Sequence, residues 1–515
     1  MHRNSSPPSR AWSLRAKFIA MLWTIVVPEW TIAQNIGDPW SSHGHDPQHT
    51  GISRFPSQPM NRIIWQTPVD LDRQYSGTLL LAHYGSPLVT RANTVVLPVK
   101  TGATDGFRVE ARRSTDGTLI WMRDTDYSAV PTGWIAPCGI GLSPKNRVWI
   151  PGAGGTVYWR DNADSAAGAT GQVAFYGMAN YEADKARFNS RVKINTPLTV
   201  DRYGNVYFGF VVFGSTTPPL SGGIARIDVN GTGSWVSATT AGADSAFTQA
   251  AGNCAPALSN DQRTVYIAFN SGGSSRGVLA ALDSRSLAPL NRVALKDVKF
   301  PNNNASLPDN GTSCPAVGPD GDVYFGVFEN PFPHNHDRGW MLHFDKTLTQ
   351  TKTPGAFGWD VTPSIVPREC VPSYTGSSDY LLLTKYNNYA GLGGDGVNKV
   401  ALLDPNATMT DPITGATVMK EVMTIDGPTP DEDFPGFPGA VREWCINAVT
   451  IDIAKKSALT HSEDGKVYRW DFTTNTLIEP LVLTAGIGEA YTPTVSGPDG
   501  TIYIIANGIL FAIGQ

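Results

Sequence analysis

The sequence predicts an all-β chain: an eight-bladed β-propeller of four-stranded antiparallel blades, its ring closed by an N-terminal strand. Three observations carry this. A hairpin unit recurs about eight times at roughly 45–85-residue spacing, which is a propeller's period and not that of a single sandwich. A Gly-led strand with an Asp or small-residue turn follows the hairpins, as in RGVLAALDSRS from Arg276, and a further strand completes four per unit. The last unit stops at NGILFAIGQ with no fourth strand, and a strand of matching Trp-centred pattern, NRIIWQTPV, begins at Asn61.

Residues 1–34 read as a signal peptide. Arg10, Arg15 and Lys17 precede the apolar run Phe18–Val27, Pro28 breaks it, and Thr31-Ile32-Ala33 offers small residues for cleavage. The run is about ten residues, too short to span a bilayer, and no later run is longer. The expectation is a secreted or periplasmic monomer with no membrane span. Residues 35–58 form an N-terminal arm and residues 59–515 the propeller. The net charge of −5, with no basic block, argues against nucleic acid.

The hairpin unit is clearest in Cys314–Val327, CPAVGPDGDVYFGV. Pro319 and Gly321 suit a type I turn, and Val323, Phe325 and Val327 alternate along the next strand. Copies begin at Ser86, Gly139, Thr196, Cys254, Thr362, Ile446 and Thr492. Two insertions interrupt the rhythm. Asp161–Ala186 in blade 2 reads as an extended turn. Asn406–Gly439 lengthens blade 6, and its second half, GPTPDEDFPGFPGA, is a candidate lid.

The arm contains Trp40–Gly51, WSSHGHDPQHTG. This stretch is similar to the opening motif of PQQ-like β-propellers, the quinoprotein alcohol dehydrogenase-like superfamily. The blade grammar resembles that superfamily over residues 38–515. The resemblance implies the fold and leaves activity open, because dehydrogenases and assembly scaffolds share it. It admits pyrroloquinoline quinone (PQQ) and Ca2+ as cofactors. The adjacent cysteine pair that such dehydrogenases hold against the quinone is absent, as is Cys-x-x-Cys-His. Trp134, Trp359 and Trp444 are candidate stacking residues. His43, His45 and His49 invite a metal reading, set against His45 and Asp46 capping a turn that ties the arm to the ring.

The five cysteines are Cys138, Cys254, Cys314, Cys370 and Cys445. Cys254 and Cys314 hold matching positions in consecutive blades, which makes them a disulfide candidate; the alternative is small buried hydrophobes at a crowded axis.

In a propeller, the loops entering each innermost strand and those between second and third strands open on one face. The ligand-binding candidates converge there: His83, Lys193, Trp359, Asp360, Arg442, Glu443, Glu489 and Tyr491. Asp360, Glu443 and Glu489 are candidate catalytic carboxylates, set against a structural network neutralised by Arg442 and Lys193. His334, His336 and Asp337 have metal-ligand residue types at short spacing. Three functions follow: binding of a small molecule, saccharide or protein partner at this mouth without redox chemistry; a PQQ/Ca-dependent alcohol or sugar dehydrogenase; or a carbohydrate hydrolase or lyase.

Overall fold

The computed structural model describes residues 39–77, 79–131, 133–272, 276–309, 311–486 and 492–515. The expected signal peptide, together with Glu489 and Tyr491, lies outside them. The described strands form eight antiparallel blades about one axis. Blade 1 opens with Leu88–Val89 and blade 8 ends with Ile509–Gly514. Among the described residues, no helix is long and apolar enough to cross a membrane.

The strands look as their positions dictate. Second strands such as Thr94–Lys100 are buried along their whole length, because each blade is covered on both faces by its neighbours. Outer strands such as Thr476–Val482 alternate exposed and half-buried residues. The repeated turn forms as its residues require. Gly321 N–H donates to Gly318 O at 2.9 Å, and Gly321 takes φ 92°, where a side chain would be strained.

Arg62–Pro68 pairs antiparallel with Ile509–Gly514 and so forms the outer strand of blade 8. The Trp65 indole reaches on to donate to Ser114 O of blade 1 at 2.6 Å.

Three elements differ from the sequence expectation. Blade 5 has three regular strands, and its fourth is reduced to bridges at Met341–Gly355 and Phe344–Thr351. The Asp161–Ala186 segment is not only a turn: Thr170–Ala174 is the outer strand of blade 2, and the helix Met178–Ala183 follows. In blade 6, Lys399–Thr410 and Thr417–Asp426 make one long hairpin, so the first half of that insertion is strand. Period alone could not separate these strands from loops, because both segments are polar and rich in small residues.

The arm occupies the ring's centre. Its backbone hydrogen-bonds in turn to Val89, Leu142, Leu258, Val317, Ile365 and Ile451, on blades 1, 2, 4, 5, 6 and 7. Each contact falls on the innermost strand, on the side of the plain turns. Ile52–Ser53 even adds a short parallel strand beside Ile451–Asp452. Gly51 shows how tight the fit is: a Cβ there would lie 2.5 Å from Val449 O. The arm therefore seals one face of the channel.

Candidate functional site

The opposite face is built by loops that bind one another. Glu463 N–H donates to Glu443 O at 2.9 Å. Asn387 and Trp444 exchange hydrogen bonds at 3.2 Å each. His336 Nδ1 meets Asn388 Oδ1 at 2.9 Å. Blades 5, 6 and 7 thus supply one continuous wall, into which several ionisable groups project.

At its centre is Lys385, 1 % exposed, near the end of the blade 6 strand Tyr380–Tyr386. Its charge acts on Glu443, Asp337, Glu463, His83 and His461. Glu443 is pushed well above the usual carboxylate range, by burial first and by Glu463 next, with Lys385 opposing. Asp337 rises to about 7, through burial and then Glu329. Glu463 also rises, mainly through burial, while Arg442 opposes it. The Tyr389 phenol is raised by burial and then by Glu443. Carboxylates outnumber cations here, and burial and mutual repulsion raise the pKa values of Glu443, Asp337 and Glu463.

Among the described residues of this cluster, several buried polar atoms lack hydrogen-bond partners, Trp444 Nε1 among them. Asp337 Oδ1 is buried without a partner. His461 is 2 % exposed, and neither ring nitrogen is bonded. Burial and then Lys385 lower its pKa to about 4, so at neutral pH the ring offers one lone pair and one N–H.

The sequence-derived candidates divide. Glu443 lies in the recess. Asp360 stands beside it at φ 56°, held by Thr312 N–H at 2.8 Å and Thr312 Oγ1 at 2.6 Å. His83 is buried and stacked on Trp134 at 4.9 Å. Trp359 packs on Phe328 at 4.6 Å, at the rim. Arg442 pairs with Asp431 at 3.1 Å and Asp433 at 2.6 Å, so it fastens the lid segment more than it neutralises the mouth. Lys193 sits elsewhere, donating to Ser128 Oγ at 2.6 Å and Ala129 O at 3.1 Å. Of the two cations expected to neutralise the mouth, Arg442 acts on Glu463 and Lys193 lies elsewhere, while Lys385 acts on Glu443, Asp337 and Glu463.

The metal candidates separate. His334 Nε2 bonds Asp297 at 3.0 Å, His336 turns to Asn388, and Asp337 N–H donates to Glu329 at 2.8 Å. Among the described residues, no three His, Cys, Asp or Glu side chains group to hold an ion. The arm histidines are structural. Asp46 accepts from Gln48 N–H and Thr50 N–H, both at 3.1 Å, and His49 Nδ1 meets Pro315 O at 2.8 Å. Cys254 and Cys314 are buried and unbridged. Cys314 Sγ instead accepts from Ala255 N–H at 3.1 Å, and burial pushes its thiol up to about 12.

Sequence reasoning missed Lys385 and Glu329. One signal was available: a lysine inside the apolar strand YLLLTKY requires a partner if the strand is buried.

Below the recess the axis is nearly solid. A cavity lined by His43, His83, Pro137, Asn253, Thr312 and Asn447 has room for about one water, at ≈ 20 Å3. The PQQ apparatus does not fit these residues. No two cysteines are adjacent in sequence. Trp134 and Trp359 already pack on protein rings, and Trp444 is fully buried.

No family model matches the chain, and no curated protein does. Solved structures do. The quinohemoprotein alcohol dehydrogenase from Comamonas testosteroni is 11% identical, over 95% of this chain and 83% of that one, with a TM-score of 0.56. A europium-containing methanol dehydrogenase is 10% identical, over 91% and 89%, at 0.55. A quinohemoprotein alcohol dehydrogenase from Pseudomonas putida HK5 is 13% identical, over 93% and 76%, at 0.53. At such identities the likeness concerns the fold alone: the chain shares the β-propeller architecture of these proteins, and its sequence has no adjacent cysteine pair.

Proposed function

We propose that this propeller is an exported binding protein. It takes a small polar ligand in the recess around Lys385, Asp337, Glu443 and His461, and has no redox chemistry of its own. One observation carries the reading: a buried imidazole with neither nitrogen bonded. An unsatisfied buried polar group costs about 1–3 kcal/mol, a cost that a ligand would relieve. The sealed opposite face and the narrow axis restrict access to this one mouth.

The test is His461→Phe, which keeps the volume and removes both unpaired nitrogens. The variant should melt at or above the parent while losing binding to a panel of mono- and disaccharides that shifts the parent's melting point. Unchanged binding by the variant would overturn the assignment.

Hydrolysis of a saccharide is the second reading. It is favoured by the raised pKa of Glu443 and by that of Asp337, at about 7, in the direction a general acid requires. Release of p-nitrophenol from aryl glycosides by the parent, and not by Glu443→Gln, would raise it above simple binding.

A further inference from the structure

The charge balance of the recess goes further than its location. We infer that the ligand carries a positive charge: the carboxylates gathered from blades 5, 6 and 7, with an unpartnered Asp337 oxygen and an unpartnered buried imidazole beside them, form a site for an organic ammonium group bearing hydroxyls. This rests on the recess being the binding site.

The groups facing one another are Glu329, Asp337, Asp360, Glu443 and Glu463 against Lys385, with neutral His83, Tyr389 and His461 among them. Arg442 faces Glu463 but is already engaged by Asp431 and Asp433. One lysine cannot balance these carboxylates. A cationic ligand restores the balance, while an anion meets repulsion. The hydrogen bonds agree. An ammonium group only donates, and the unused atoms include two acceptors: Asp337 Oδ1 and the imidazole lone pair. The remaining imidazole N–H suits a hydroxyl oxygen of the same ligand.

Asp337, which titrates at about 7, must be ionised to pair with the entering ammonium. Binding therefore strengthens as pH rises through about 7, where Asp337 titrates, and weakens in acid.

The experiment compares one polyol skeleton in three charge states: N-methylglucamine, sorbitol and gluconate, with calcium chloride as the metal alone. Calorimetry at pH 6.5 in two buffers of different ionisation enthalpy reads affinity and proton release together. N-methylglucamine should bind at least about tenfold more tightly than sorbitol, with gluconate weakest. It should release protons, and Asp337→Asn and Glu443→Gln should each erase the preference; either variant suffices should the other misfold. Equal binding of N-methylglucamine and sorbitol, both lost in His461→Phe, would overturn the charge inference and leave the recess standing. Chelator-reversible calcium binding with N-methylglucamine silent would replace the ammonium with a metal ion. If none of the four binds the parent protein, the inference is wrong.

Discussion

The two faces of the ring differ in what gathers at them: a chain segment at one, ionisable side chains at the other. On the sealed face, the arm's backbone meets six blades by hydrogen bonds, and Asp46 collects Gln48 and Thr50 into a turn. On the open face, His461 and Asp337 have unbonded atoms, and burial raises the pKa values of Glu443 and Asp337. Histidine is conspicuous on both faces and means different things. At the arm, His49 meets Pro315 O through one nitrogen and leaves the other unbonded; at the mouth, neither nitrogen of His461 is bonded. The lesson is that clustering of histidines in sequence does not tell what each ring touches; only the folded partners do.

The contrast can be broken first at the plug. Deleting residues 40–53 while keeping the closing strand removes the arm's contacts with six blades. At about 1 kcal/mol each, thermal melting should fall by roughly 5–10 °C. A midpoint equal to the parent's would mean that the arm is not structural.

Lys385→Met should come next. Stranding buried charges costs up to about 3–5 kcal/mol, less where the carboxylates can take up protons. Melting should thus drop more at pH 8 than at pH 5, and binding at the mouth should be lost at both. A loss that does not vary with pH would show that Lys385 does not balance these carboxylates.

The pH dependence itself is the third test. Asp337 and Glu443 have folded pKa values above their unfolded ones, so the folded state binds more protons. Their stability contribution is full in acid, below the unfolded pKa, and is lost as pH rises through about 7 for Asp337. The double variant Asp337→Asn, Glu443→Gln should flatten the fall in melting point over that range. A curve parallel to the parent's would remove these groups from the account.

The smallest effect belongs to single charges near each face. Arg442→Ala breaks partly exposed pairs and should cost about 0–1 kcal/mol while altering ligand affinity. Lys145→Ala, on a plain turn, should change neither beyond about 0.5 kcal/mol. Urea unfolding and a binding isotherm on both variants give the comparison.

Much of the fold was legible because the blades repeat their turn chemistry. Gly318–Gly321 announces a hairpin wherever it recurs, and the loops around Asp360, Glu443 and His461 fall on the predicted face. The irregular parts were not legible. The outer strand Thr170–Ala174 is half-polar and exposed, so it carries no core pattern. Lys385 escaped notice because its role comes from blades 5 and 7, distant in sequence. The separation of His334 from His336 depends on partners, Asp297 and Asn388, that no local spacing reveals.

The closing strand also sets the order of assembly. Gln58 and Gln515 hydrogen-bond across 457 positions of sequence, and Arg62 pairs with Gly514. A growing chain makes Arg62–Pro68 early and meets its partner Ile509–Gly514 only after every other blade has been made. Until then the strand is an unpaired edge, open to the wrong neighbour. Contacts of such long range make folding slow. The ring can therefore close only once Ile509–Gly514 has been made, and a strand made near the start of the fold is among the last to be protected.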